Sequence, residues 1–202
     1  MTDETLNARE RWNRRYAETG VRPFLDPPSQ WLVDNRALLN ARSTGLALDV
    51  ACGGGRNSAF LAQLGFEVEA LDVSDHAISE VNAAVAEHRL AVRPRRVDLE
   101  NEQLPVGVYD VIVQFNYLQR DLFDSLARAL TPGGLLLAET RLRAEPLAGE
   151  EPFNPRFALE TGELRAAFGQ LEIVRYWEGP VPQSSRPRSV ARLAARRPVT
   201  DG

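Results

Sequence analysis

Cys52 is the only cysteine in 202 residues, and His76 and His88 are the only histidines. One cysteine excludes an internal disulfide and any cysteine-rich zinc site, and Cys52 reads as a small packing residue. The histidines fall in and beside one helical segment with no partner in sequence, so no metal site is expected. Positive charge is also short: the net charge is −4, and no overall field would gather nucleic acid or anionic lipid. Arginines do cluster at Arg93/Arg95/Arg96 and at Arg186/Arg188/Arg192/Arg196/Arg197. Acids flank the first group and apolar residues alternate with the second, which is the pattern of solvated faces. No stretch approaches the roughly 18 apolar residues of a membrane helix. The opening MTDETLNARERWNRRY is too polar for a secretory signal. A soluble, cytoplasmic protein is expected.

What is present is an α/β pattern. Hydrophobic residues make up 44% of the chain, enough for a real core. From Leu46 onward short apolar runs alternate with segments of helical period, the signature of βαβ units and a mostly parallel sheet. Strands are expected at 46–50, 67–73, 92–99, 110–115 and 135–140. Helices are expected at 57–64, 74–88 and 121–130, with Gly65 ending the first of them. Thr131-Pro132-Gly133-Gly134 reads as a turn. Residues 142–157 hold three prolines and little periodicity, and read as a loop or lid. A helix at 160–168 and two strands, 171–179 and 189–197, would close one edge as an antiparallel hairpin. The expectation is a Rossmann-like, doubly wound seven-stranded sheet. Residues 1–45 form an N-terminal helical lid with helices at about 5–18 and 29–41, and 46–202 form the main domain.

ALDVACGGGRNSAFLAQLGFEVEALD, residues 47–72, carries the chemistry. Glycine after a parallel strand lets the backbone turn sharply and approach a ligand without a Cβ in the way. The following helix points free N–H groups over the loop. Asp72 ends the next strand, 17 residues after Gly55, where its carboxylate reaches two ribose hydroxyls. A nucleoside-containing ligand across the strand ends is therefore expected. A dinucleotide fingerprint would need a third glycine, and Arg56-Asn57-Ser58-Ala59 supplies none.

Asp49-Val50-Ala51-Cys52-Gly53-Gly54-Gly55 instead resembles the D/E-x-G/A-x-G-x-G motif of Rossmann-like S-adenosylmethionine-dependent methyltransferases. Ala51 replaces the first glycine, and Leu71 replaces the first acid of the ribose motif, leaving Asp72 alone. Asp98-Leu99 resembles the pair that holds and covers adenine, YDVIVQFNYL the fourth-strand motif, and LTPGGLLLAET the turn into the fifth. FNYLQRDLF and FALETGELRAAF add a resemblance to the small bacterial group near tellurite-resistance methyltransferases. The resemblance implies S-adenosyl-L-methionine as cofactor, held by Asp49, Ala51, Gly53, Gly55, Asp72, Val73, Asp98, Leu99 and Phe115. It also implies that Trp12 and Tyr16, as a W-x-x-x-Y lid helix, cover the cofactor. Asn116, Tyr117 and Arg120 then lie where the methyl is transferred.

Bland alternatives stand beside these roles. Asp49 can cap the loop or contact the methionine amino group; Trp12 and Tyr16 can be ordinary packing at i and i+4. Asn116 and Tyr117 can be polar loop residues. The acceptor is expected to be a small molecule, anionic or a thiol or metalloid, drawn by Arg120, Arg141, Arg143, Arg186 and Arg188, and the protein a monomer or homodimer. Rival classes are an inactive S-adenosylmethionine-binding module and an NAD(P)-binding oxidoreductase. Nucleic-acid methylation is disfavoured by net charge and by FNYL, which lacks the D/N/S-P-P-Y/F segment.

Overall fold

The computed structural model describes residues 6–41, 45–181 and 187–199. Seven strands, β1 (Leu46–Val50), β2 (Glu67–Asp72), β3 (Val92–Arg96), β4 (Tyr109–Phe115), β5 (Leu130–Arg141), β6 (Glu172–Pro180) and β7 (Ser189–Arg196), form one sheet. Its order is β3-β2-β1-β4-β5-β7-β6, the doubly wound arrangement with an antiparallel closing hairpin expected from the alternation of apolar runs. By contact density the chain divides into two compact units, Met1–Leu104 and Pro105–Gly202.

In the first unit β1, β2 and β3 pair in parallel. Ala47, Leu48, Val68, Ala70 and Leu71 are fully buried, which explains the continuous apolar runs: both faces of these strands are covered. Helix α4 (Arg56–Gln63) follows the glycine loop, and Gly65, at φ 98°, closes its C-terminus as expected. Helix α5 (Asp75–His88) starts on Ser74, whose hydroxyl accepts from the Ala77 N–H. Strand β3 stops at Arg96, three residues short of the expected end, and its last bond to β2 runs from the Val97 N–H to the carbonyl of Asp72, where β2 also ends. Helix α1 (Ala8–Thr19) begins with a capping box between Asn7 and Glu10 and has no fully buried residue. The second N-terminal helix is broken into α2 (Gln30–Asp34) and α3 (Arg36–Asn40). The break falls at Asn35, buried with its side-chain amide on the Trp31 carbonyl, a local hydrogen bond that competes with helix continuation.

In the second unit β4 and β5 are parallel, while β7 pairs antiparallel with both β5 and β6. Thr131–Gly134 is not a free turn. Gly133, at φ 75°, donates to the Arg197 carbonyl, and the Arg197 N–H donates back to Gly134. The segment is thus an irregularity inside β5, pinned by the chain beyond β7. Helices α6 (Phe123–Ala129) and α7 (Glu163–Ala167) pack Phe123 against Phe168 at 5.1 Å between ring centroids.

Candidate cofactor and acceptor site

Glycine, then an acid, is brought together as a single constellation. The Gly53 N–H donates to Asp72 Oδ2 at 2.9 Å, and the Ser74 N–H to Oδ1 at 2.9 Å. Asp72 is 5% exposed, and burial raises its pKa against the opposing pull of those N–H groups. A carboxylate has about four lone-pair positions, so acceptor capacity remains for hydroxyls. Val73, beside it, is half-buried.

The glycines have a second reason beyond ligand approach. A Cβ on Gly53 would stand 2.8 Å from the Tyr16 hydroxyl, and one on Gly55 2.7 Å from the Phe24 ring; Gly54 would meet the Arg22 carbonyl at 3.4 Å. Residues 16–24 therefore run along the Cβ side of the loop, and the Phe24 N–H donates to the Gly54 carbonyl. Arg56 fastens the next stretch, donating to the Pro27 carbonyl and the Ser29 hydroxyl. Phe24 sits at φ 60°, a strained conformation for a bulky residue. Ala51, where the motif carries glycine, is also left-handed, at φ 54°.

Asp49 is 1% exposed and accepts from the Ser58 hydroxyl at 2.6 Å. Burial pushes its carboxyl up to about 7, with nearby Asp72 adding in the same direction and Ser58 opposing. Burial likewise pushes the Cys52 thiol up, helped by Asp49 and Asp72, so Cys52 stays a protonated thiol. Trp12 and Tyr16 are half-buried with ring centroids 5.5 Å apart. Burial, then the Asp72 charge, keeps the Tyr16 phenol neutral. At the end of β3, Asp98 accepts from the Glu100 N–H and the Asn101 side chain, and Leu99 is buried.

In the second unit Phe115 is buried, and Asn116 follows it exposed at φ 56°, its N–H on the Glu139 carbonyl. The Tyr117 hydroxyl donates to Gln119 at 2.6 Å. Arg120 is engaged as a clamp: its guanidinium forms a forked pair with Glu163 at 2.6 and 3.1 Å and also donates to the Ala158 carbonyl. Arg141 pairs with Glu150 and lies over the Phe153 ring, and Arg143 pairs with Glu160. Arg186 lies outside the described residues. Phe115, Glu139, Arg192 and Trp177 align in register across β4, β5, β7 and β6. Arg192 donates to Glu139 at 2.7 Å and lies over the Trp177 ring. Arg188 also reaches Glu139, at 3.4 Å, while its buried Nε has no hydrogen-bond partner.

Sequence reasoning missed Asn13, Phe24 and Ser58. Asn13 was in plain view inside the Trp12–Tyr16 motif, and Ser58 in the first turn after the glycines. Nothing local marks Phe24. Among the described residues no group of three or more histidine, cysteine or acidic side chains could hold a metal, and no helix is long and apolar enough to cross a membrane.

A family model described as tellurite resistance protein TehB matches residues 36–183, well over half of the chain. The chain belongs to the TehB family. Among curated relatives, hemagglutinin 1 of Eikenella corrodens is 29% identical over 138 residues, 65% of this chain and 45% of that protein. The probable S-adenosyl-L-methionine-dependent methyltransferase TehB of Haemophilus influenzae (strain 10810) is 27% identical over 138 residues, 65% of this chain and 47% of its own. This TehB-family chain thus spans about half the length of the curated relatives it matches. The crystal structure of TehB from Haemophilus influenzae superposes with a TM-score of 0.70 at 21% identity, covering 94% of this chain and 66% of that one. That likeness establishes the Rossmann-like fold.

Proposed function

We propose that this TehB-family chain binds S-adenosylmethionine and transfers its methyl group to a small acceptor bearing negative charge. The observation that carries the proposal is the joining of Asp72 to the glycine loop through the Gly53 N–H. The H. influenzae relative, named a probable methyltransferase, supports it. In this reading Asp72 holds the ribose and Asp98 and Leu99 hold and cover the adenine. The loop from Ala51 to Gly55 carries the methionine portion, with Asp49 near its amino group. When bound, the cofactor supplies a methyl group already activated by the positive sulfonium. The chain has then to orient the acceptor, exclude water and hold the reacting atoms in line. By their place at and just after the end of β4, Phe115 is assigned to the cofactor and Asn116 and Tyr117 to the methyl-transfer step. Arg120 serves it indirectly, by fixing residues 156–163.

Calorimetry with S-adenosylmethionine, S-adenosylhomocysteine and NAD tests the class. Binding of the first two without NAD is expected; binding of NAD alone would replace this reading with an oxidoreductase.

Residues 1–45 act as the lid over this site. Helix α1 is docked by polar contacts and buries no residue completely, a low-stability attachment. Hydrogen exchange over residues 6–30 should slow when S-adenosylmethionine is added. Unchanged exchange would leave Trp12 and Tyr16 as ordinary packing residues.

The acceptor's charge is read from the second unit. Arg120, Arg141 and Arg143 each have a carboxylate partner, which cancels most of their reach in solution. Arg188 is paired as well, with Glu139 at 3.4 Å, but it keeps a buried Nε donor without a hydrogen-bond partner, which is the donor this reading offers to an anion. Methyl transfer from labelled cofactor should favour selenite, tellurite, small thiols or carboxylates over an oligonucleotide. Added salt should slow turnover of an anionic acceptor. Turnover confined to a neutral or cationic acceptor would overturn the anionic assignment.

A further inference from the structure

Asn13 belongs to none of the roles above, yet its side chain uses both ends at the turn that carries Asp72. Its Oδ1 accepts from the Ser74 hydroxyl at 2.7 Å and from the His76 N–H at 3.3 Å. Its Nδ2 donates to Asp75 Oδ2 at 3.0 Å. Ser74 is fully buried and donates its own N–H to Asp72 Oδ1 at 2.9 Å. A lid residue is therefore two hydrogen bonds from the carboxylate assigned to the ribose.

We propose that Asn13 is a positioning residue for cofactor binding, acting through Ser74 on Asp72; the proposal rests on the methyltransferase reading. Ser74 has one hydroxyl proton, and Asn13 decides where it goes. With that proton on Asn13 Oδ1, the hydroxyl oxygen faces the Ala77 N–H and the Ser74 N–H stays on Asp72. One side chain thus fixes the whole turn, as a buried network does when every member is satisfied. The arrangement also couples the two halves of the binding event. Docking of α1 would complete the ribose contact, and a correctly placed ribose contact would favour the docked helix.

Arg9 provides the control. It lies one turn earlier on the same helix and binds Asp75 Oδ2 at 2.5 Å, with more than half of its side chain exposed, whereas the Ser74 hydroxyl donates to Asn13. Removing it loosens the helix without freeing the turn.

The test is calorimetry with S-adenosylhomocysteine on the full chain and its Asn13→Ala, Arg9→Ala, Asp72→Ala and Asn13→Ala/Asp72→Ala variants, with melting curves for each. Asn13→Ala should weaken binding by about tenfold, the size expected for a lost hydrogen-bond link to a charged group, and Arg9→Ala by less than about twofold, the size of an exposed ion pair. In the Asp72→Ala background Asn13→Ala should cost nothing further, because its effect passes through Asp72. A residue that only docks the lid would add its full cost in both backgrounds, and that additivity would overturn the proposal. So would equal losses for Asn13→Ala and Arg9→Ala, or unchanged affinity in Asn13→Ala. A parent protein that fails to bind S-adenosylhomocysteine would overturn the cofactor reading itself, and is told apart by that measurement.

Discussion

Stability should fall by about 2–3 kcal/mol between pH 5 and pH 8, and Asp49→Asn should remove most of that fall. The carboxyl of Asp49 is pushed up to about 7 by burial, whereas in the unfolded chain it titrates near 4. Its proton is thus held more tightly in the folded state. Stability from this group is complete below the unfolded value and is lost as pH rises through the folded one. Between those values each pH unit costs about 1.4 kcal/mol. Asp72, raised by burial as well, adds in the same direction, so the variant keeps a residual slope. Asp75 is held at about 2 by Arg9 and Asn13, and Glu163 is held low by Arg120. Their stabilisation is lost only as pH falls through the acid range, outside this window.

Asparagine keeps an oxygen for the Ser58 hydroxyl without the charge, so Asp49→Asn should be more stable than the parent at pH 8. Urea unfolding at pH 5, 6, 7 and 8 reads the difference. A flat or rising parent profile would show that the carboxylate is solvated and ionised in the folded state. A buried acid that costs stability at neutral pH has a use for its charge when a cation arrives. S-adenosylmethionine, positive at its amino group and sulfur, should therefore bind the parent more tightly at pH 8 than at pH 6, and bind Asp49→Asn weakly at both.

How much of this was legible in advance depended on sequence distance. LALDV declared a buried strand by its apolar run before Asp49, and EVEALD declared a second by the short apolar stretch that follows Glu67 and Glu69, and the sheet formed as expected. Asp72 could be placed beside the glycine loop because two adjacent parallel strands dictate it. The partners of the arginines could not be read. Glu163 is 43 positions from Arg120, and no periodicity links a loop arginine to an acid in a distant helix. An edge that looked uniformly basic therefore holds ion pairs. The helix expected over 29–41 failed at Asn35, where an apolar pattern of helical period continued but one buried amide turned back on its own backbone. The glycine triplet was read as room for a ligand. Its Cβ side is lined by Tyr16 and Phe24, which no spacing rule connects to residue 53 or 55.

Asp72→Ala carries the second large effect, and it acts on two quantities at once. The carboxylate accepts from two backbone N–H groups and is 5% exposed. Alanine leaves both donors without a partner, at about 1–3 kcal/mol each, so the melting temperature should drop by about 4 °C or more for a chain of this size. S-adenosylmethionine binding should weaken by about tenfold to a hundredfold, the loss of about 1.5–3 kcal/mol expected for hydrogen bonds to a charged acceptor. The two effects need separating, since a loosened loop would also bind poorly. Val68→Ala serves that purpose: Val68 is fully buried in the same strand, four residues before Asp72, and its truncation costs stability by opening a cavity while leaving the carboxylate in place. Measured well below both melting transitions, Val68→Ala should bind S-adenosylmethionine as the parent does, and Asp72→Ala should not. If the two variants bind alike at equal loss of stability, the carboxylate at the end of β2 shapes the loop and does not hold the ribose.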